Sequence, residues 1–212
     1  MIIKKIIFGT AIALFLLISV QVMKTIHGLP AAIEIETQKV KGPPSAPNFI
    51  VVFSDFQCGY CYSIRPSLDA ILKAFPNDIK LVYKHFLLDR HKISPLMAEA
   101  SECAADQGKF WEMHDKLYDN GLGIDSTQEN QRMDLLEKYS KEINLNVEQF
   151  KQCLASGRKK EIINKNHQEG ENYRISGTPT ILFNGKKILK IPLDNPEPTI
   201  QLIRSMINKN EK

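Results

Sequence analysis

The chain has 212 residues, 43% hydrophobic and 25% charged, an ordinary composition for one folded domain with a real core. The formal net charge is +4, but Lys4, Lys5 and Lys24 fall within residues 1–27, which hold no Asp or Glu. The remainder is nearly neutral and carries no electrostatic footprint for nucleic acid; Arg158-Lys159-Lys160 reads as a solvated helix face.

Residues 1–27 read as an export element. Lys4 and Lys5 make a short positive region, and Ile6–Met23 is apolar except for Thr10, Ser19 and Gln21. That stretch is at the threshold length for spanning a bilayer and longer than a signal-peptide core, and no small-x-small cleavage site follows Val20. The pattern favours a retained single-pass anchor over a cleaved signal peptide. The positive-inside rule then leaves Lys4 and Lys5 in the cytoplasm and the body outside.

Residues 28–47, with Gly28, Pro30, Gly42, Pro43, Pro44 and Pro47, form a linker with room for one short strand at Ile33–Val40. The folded domain is expected over residues 48–212. Asn48–Phe53 is a continuous apolar run, rich in β-branched and aromatic residues, which suits a strand buried on both faces. A helix follows over Gly59–Phe75, stopped by Pro76-Asn77-Asp78, and Ile79–Leu87 alternates as a second strand. Strand, helix and strand in this order imply a right-handed parallel unit.

The pattern then turns helical across an insertion of about residues 90–175. Ser94-Pro95 reads as an N-cap with Pro in the first turn, followed by helices at Leu96–Asp106, Phe110–Tyr118, Thr127–Ile143, Val147–Ser156 and Arg158–Tyr173. Thr180–Phe183, the turn Asn184-Gly185 and Lys186–Ile191 make a hairpin, and a helix at Glu197–Asn208 closes the chain. The fold class is α/β with an inserted all-helical subdomain.

Asp55-Phe56-Gln57-Cys58-Gly59-Tyr60-Cys61 lies directly after the first buried strand and opens a helix. Free N–H groups and the macrodipole at a helix start stabilise an anion, so a thiolate at Cys58 is favoured there. Cys61 is one turn later on the same face, close enough to act as the resolving thiol. A zinc site would need a second ligand cluster, and Cys103, Cys153, His85, His91 and His114 supply no paired spacing, so no metal is expected. A structural Cys58–Cys61 disulfide is disfavoured because so short a loop stabilises little.

Val51–Cys61 with Pro66 five residues on, and Gly177-Thr178-Pro179-Thr180 before the hairpin, resemble the thioredoxin superfamily. The helical block and Cys103–Trp111 resemble its DsbA-like members in particular. The resemblance implies a thioredoxin fold, and thiol–disulfide exchange at Cys58 and Cys61 without a cofactor. It also implies a cis-Pro179 facing the pair, and a substrate-binding loop made of Gly59, Tyr60, Thr178 and Pro179. Pro66 is expected to kink the active-site helix. In the same family, clients are folding exported proteins with cysteines, and a DsbB-like membrane oxidase reoxidises the enzyme. The expected setting is the periplasmic side of a bacterial inner membrane.

Two residues leave the direction of electron flow open: Gly-Tyr between the cysteines, and Thr178 before the proline, both of which tune the redox potential. The competing readings are an isomerase or reductase kept reduced by a membrane partner, and a non-catalytic binding module of the same fold. The 20-residue linker is short for an association domain, which favours an oxidase and a monomer, with a trimer built through a helix in the leader as the alternative. Asp55 is either a proton carrier for the thiols or a helix cap, and His85 is more readily a structural histidine than a site residue. Cys103 and Cys153, an even count in an exported chain, are expected to form a second disulfide, as some members of the family do; two buried thiols are the alternative.

Overall fold

The computed structural model describes residues 33–188, 192 and 195–210. The leader at 1–27 and the start of the linker lie outside them. Among the described residues, β1 (Val40–Lys41), β2 (Asn48–Ser54), β3 (Ile79–His85), β4 (Thr180–Phe183) and β5 (Lys186–Ile188) form a sheet of order β1-β3-β2-β4-β5. β2 pairs in parallel with β3, Ser54 opposite His85, and antiparallel with β4, Phe53 opposite Thr180. The helix α1 (Gly59–Ala74) is the crossover between β2 and β3.

β2 is central because both its faces are apolar. Its residues alternate between two cores, as the two-residue period of a strand dictates. Ile50 and Val52 pack with Ile64, Leu68 and Ile71 of α1, while Val51 and Phe53 pack with Val82, Phe86, Ile175 and Leu182 on the opposite face. The strand therefore delivers its last residue, Ser54, and the loop after it to one fixed place beside the end of β3.

Between β3 and β4 lies the helical insertion. It comprises α2 (Ser94–Ala105), α3 (Phe110–Asp119), α4 (Gly121–Ser126), α5 (Glu129–Glu142), α6 (Val147–Ser156) and α7 (Lys160–Asn172); α8 (Glu197–Asn210) follows the hairpin. This is the α/β fold with a helical insertion that the pattern predicts. Asn146 caps α6 through its side chain, accepting from Gln149 N at 3.0 Å, and Gly157 ends that helix in the left-handed region at φ 61°.

Three local readings need correction. The strand expected at Ile33–Val40 is a single 3-10 turn at Thr37–Lys39 leading into the two-residue β1. Lys39 draws that segment inward: its ammonium is buried on Glu102 at 2.7 Å and Asn166 at 2.9 Å, and it also pairs with Glu36. Ser94 is the first residue of α2 rather than its cap, because its hydroxyl is held by Asp55. The cap of α2 comes instead from Gln57, whose Oε1 accepts from Ile93 N at 2.6 Å and Ser94 N at 2.7 Å. The short α4 was not foreseen, since two glycines in six residues give it little intrinsic propensity.

Candidate active site

Cys58 is the N-cap residue of α1, extended at φ −83° and ψ 112°. Its N–H donates to Asp55 O at 3.0 Å, and its carbonyl accepts the first helical bond from Tyr62 N at 3.1 Å. The first-turn N–H groups are thereby left pointing at its sulfur. Gly59 and Tyr60 start the helix, and Tyr60 is 69% exposed, the most open large hydrophobic side chain among the described residues. Cys61, one turn on, is buried behind the helix. Both cysteines are free thiols.

Pro66 lies inside α1, which continues through it. Proline has no N–H to return to the carbonyl four residues earlier. The Tyr62 carbonyl so released accepts instead from Arg65 Nε at 3.4 Å. The Arg65 guanidinium also lies over the rings of Tyr62 at 4.7 Å and Tyr118 at 5.2 Å, which ties α1 to α3.

The Thr178–Pro179 peptide bond is cis. The loop reaches the pair: the Cys58 thiol donates to Thr178 O at 3.3 Å, and Thr180 Oγ1 donates to Gly177 O at 2.7 Å. Thr178 Oγ1 is buried without a hydrogen bond, free to turn toward a thiolate.

These donors separate the two thiols electrically. Hydrogen bonding from Cys61 pulls the Cys58 thiol down to about 5, helped by Thr178 and by the N–H groups of Cys61 and Tyr60, against the opposing effect of burial. Burial pushes Cys61 far up, and the Cys58 thiolate adds to that; the Ser54 hydroxyl and the Asp55 backbone act the other way. Cys58 is thus the thiol that ionises at neutral pH, and Cys61 holds its proton.

The Asp55 carboxylate is fully buried. It accepts from Gln57 N at 2.8 Å, Leu88 N at 2.9 Å and Ser94 Oγ, and His91 Nδ1 stands 3.0 Å away without hydrogen-bond geometry. Its partners lie in its own turn, in the loop beyond β3 and in α2, and it is the Asp55 backbone that reaches Cys61. His85 is buried and set in a polar network, its Nε2 2.9 Å from Glu102 Oε1.

Cys103 in α2 and Cys153 in α6 are joined by a disulfide with Cα atoms 5.8 Å apart, spanning 50 positions of sequence. It fastens the insertion far from the Cys58–Cys61 pair in the chain. No three His, Cys, Asp or Glu side chains group as metal ligands among the described residues.

The side chains that sequence reasoning missed are Ser54, Gln57, Tyr83 and Tyr118. Ser54 Oγ and Tyr118 Oη are 2.7 Å apart, and Tyr118 Oη donates to Asp55 O at 3.2 Å. Ser54 could have been marked as the polar residue ending an apolar strand beside the motif. Tyr118 carries no local signal, because its role depends on the packing of a helix 64 positions away.

The family model described as thioredoxin matches residues 34–207. In solved structures, the chain is similar to oxidised BdbD from Bacillus subtilis, with 26% identity, a TM-score of 0.63 and coverage of 77% of this chain and 91% of that one. It is also similar to Chlamydia trachomatis DsbA, with 20% identity, a TM-score of 0.64 and coverage of 84% and 96%. Among curated proteins it is 34% identical over 167 residues to Na(+)/H(+) antiporter NhaA 1 of Salinispora arenicola, covering 78% of this chain and 24% of that one. The chain therefore spans about a quarter of the length of the curated relatives it matches.

Proposed function

We propose, on the premise that this chain belongs to the thioredoxin family, that it is a DsbA-like thiol–disulfide oxidoreductase that donates its Cys58–Cys61 disulfide to exported proteins as they fold. The observation that carries the direction is the Cys58 thiolate, held near pKa 5 by donors from Cys61, Thr178 and the helix start. Stabilising the thiolate stabilises the dithiol form, and a pair whose reduced form is stabilised is an oxidant.

The proposed exchange runs in two steps. A client thiolate attacks Cys58 Sγ of the disulfide, and Cys61 leaves. A second client thiolate attacks the client sulfur of the mixed disulfide, and Cys58 leaves as the stable thiolate. Thr178 and Pro179 sit where an extended client segment can pair with their backbone. The cleft in front of Cys58, about 970 Å³ and lined by Phe56, Tyr60, Arg90, Leu135 and Tyr139, is where the client's flanking side chains would lie.

The setting we propose is the outer side of a bacterial inner membrane, with residues 1–27 as export element and a DsbB-like oxidase as the reoxidising partner. It is supported by the apolar stretch Ile6–Met23 behind Lys4 and Lys5, and by the Cys103–Cys153 disulfide, a bond suited to an oxidising compartment. The antiporter activity named for the curated relatives is not proposed for this chain.

The test is the reduction potential of the pair, by equilibrating the chain with glutathione buffers. A value near about −120 mV supports disulfide donation, whereas one near about −270 mV makes the protein a reductase or a reduced-state isomerase.

A further inference from the structure

Two cavities reach the cysteine pair from different sides. The cleft in front touches Cys58 and not Cys61, while a second cavity of about 640 Å³ touches Cys61 and not Cys58, and the two meet at Tyr62, Ser63, Tyr118 and Asp119. Ser54, Tyr83, His114, Asp115 and Tyr118 line that second cavity. A client joined to Cys58 covers the front. Cys61, 1% exposed, must still gain a proton when it leaves, or lose one when it attacks. The second cavity is the side left open to water.

The wall of that cavity is built for proton traffic. Ser54 Oγ is 2.7 Å from Tyr118 Oη, and the Ser54 hydroxyl also reaches the Cys61 sulfur. Tyr118 Oη has a second acceptor in Asp55 O at 3.2 Å. With Cys61 protonated, the hydroxyls run Ser54 to Tyr118 to the Asp55 carbonyl. With Cys61 ionised they reverse, Tyr118 donating to Ser54 and Ser54 to the sulfur. Tyr83 Oη, buried in the same wall without a hydrogen bond, is a ready partner for a water in a space large enough to hold several.

A base stands at the end of this wall. The His114 ring packs against Tyr118 with centroids 4.9 Å apart, and its Nδ1 is 2.8 Å from Asp115 Oδ1. With Asp115 accepting from Nδ1–H, the lone pair is on Nε2. Asp115 faces it from its own helix, Arg65 from α1, Lys41 from β1 and the phenol of Tyr83 from β3. Burial, with the two cations, holds the imidazole below its ordinary range despite Asp115, so at neutral pH it is uncharged and able to accept. The Asp55 carboxylate, the nearest acid in sequence, is committed to the loop beyond β3 and to Ser94.

We propose that Ser54, Tyr118 and His114 carry the proton of Cys61 to and from solvent through the rear cavity, leaving the front free for the client. The inference rests on the dithiol exchange proposed above and supplies its second half. In the resolving direction the Cys61 proton passes to Ser54 Oγ, the Ser54 proton to Tyr118 Oη, and the Tyr118 proton through cavity water to His114 Nε2. The Cys61 thiolate attacks Cys58 Sγ, a Cys58–Cys61 bond forms, the Cys58–client bond breaks, and the client sulfur leaves with the electron pair. In the donating direction every transfer reverses, and Cys61 leaves as a thiolate that is protonated from behind.

The experiment mixes the reduced full chain with excess glutathione disulfide, quenches with acid and follows the Cys58–glutathione adduct by mass spectrometry. Ser54→Ala, Tyr118→Phe and His114→Ala should form the adduct normally and resolve it roughly 10-fold or more slowly at pH 7, general acid–base catalysis being worth at least that. The deficit should shrink as pH rises, and imidazole in the buffer should restore His114→Ala but not Tyr118→Phe. Resolution at the unaltered rate at every pH in Ser54→Ala and Tyr118→Phe overturns the relay. In the unaltered chain, resolution should slow in deuterium oxide with a curved dependence on deuterium fraction, since several protons move; absence of any slowing overturns the relay even if a variant fails to fold. An unaltered chain that forms no adduct at Cys58 refutes the dithiol reading itself; one that forms and resolves it, with the variants unchanged, refutes the relay alone.

Discussion

The Cys58 sulfur lies 3.3 Å from the carbonyl oxygen of Thr178, so the residue before the cis-proline is in contact with the first thiol of the pair across 120 positions of sequence. The thiol donates to that carbonyl, and once ionised it can turn to the Thr178 hydroxyl, which has no other bond. The alkylation rate of Cys58 should rise with pH about a midpoint near 5, where the thiolate forms. Thr178→Val removes one donor to an ion, worth about 1.5–3 kcal/mol, and should raise that midpoint by roughly one to two pH units. Iodoacetamide labelling between pH 3 and 9 measures both; an unchanged midpoint would remove Thr178 from the account.

The same shift fixes how the stability of the reduced protein depends on pH. The folded value of Cys58 is about 5 and the ordinary value 9, so the stabilisation is complete above 9, declines as pH falls and is gone below about 5. Reduced and disulfide forms compared by chemical denaturation should therefore converge in favour of the disulfide form as pH drops toward 5. Parallel curves across that window would contradict the stabilised thiolate.

The sequence makes the Cys58–Cys61 turn readable because everything needed for it is local: a buried strand, two cysteines one helical turn apart, and a helix start between them. β2 is legible for the same reason, its apolar run satisfying both cores at once. Pro179 is legible only through family resemblance, since no local pattern links it to Cys58. Gln57 as the cap of α2, and Lys39 as a buried cation, are invisible to periodicity. Each is a polar residue whose partner, Ser94 for one and Glu102 for the other, lies 37 and 63 positions away. Ser94 was misread because a serine before proline is a good cap on local grounds, and a buried carboxylate took its hydroxyl.

Lys39 and Lys41 are two positions apart and should differ sharply on substitution. Lys39 is 1% exposed and shared among Glu102, Asn166 and Glu36, whereas Lys41 pairs with Asp69 where both side chains are more than 40% exposed. Removing the Lys39 ammonium takes the shared cation from Glu102 and Glu36 and leaves His85 and Lys84 as their remaining partners, so Lys39→Met should destabilise the fold by about 3 kcal/mol. Lys41→Met should change it by less than about 1 kcal/mol. Urea midpoints decide, and equal effects would mean the buried network is not paired as described.

Glu102 gives that network a pH signature. Its carboxyl is held at about 2: the hydrogen bond and charge of His85 and the Lys39 ammonium outweigh the burial that pushes it up. Its contribution is complete above the ordinary value of 4.5 and is lost as pH falls toward 2. Glu102→Gln should lower stability at neutral pH and flatten its fall between pH 4.5 and 2. An acid-unfolding curve with the same slope in both proteins would count against it.

The Cys103–Cys153 bond closes 50 positions of the insertion, from α2 to α6. In the chain-entropy model a loop of that length is worth about 4 kcal/mol. Cys103→Ala with Cys153→Ala should therefore lower the denaturation midpoint substantially while leaving the alkylation profile of Cys58 unchanged, because the bond ties α2 to α6 and none of the groups that hold the Cys58 thiol down belongs to it. A midpoint that stays put would show that helix packing alone holds the insertion.

Gly170 tests how closely α7 approaches the sheet. A Cβ at this position would lie 2.5 Å from Phe86 Cδ2, 2.9 Å from Phe86 Cε2 and 3.3 Å from Phe53 Cδ1. Phe86 cannot simply turn aside, because its ring is stacked on His167 with centroids 4.3 Å apart and meets Phe53 edge-on at 6.5 Å. Alanine is the better helix former by about 1 kcal/mol, so propensity alone predicts that Gly170→Ala stabilises. Overpacking predicts the opposite, about 1–3 kcal/mol of destabilisation, and the sub-3 Å contacts with a clamped ring make it the larger effect. Chemical denaturation of the single variant gives the sign: a loss places α7 tightly on Phe86, while a gain would mean that the helix stands farther from β3 than described.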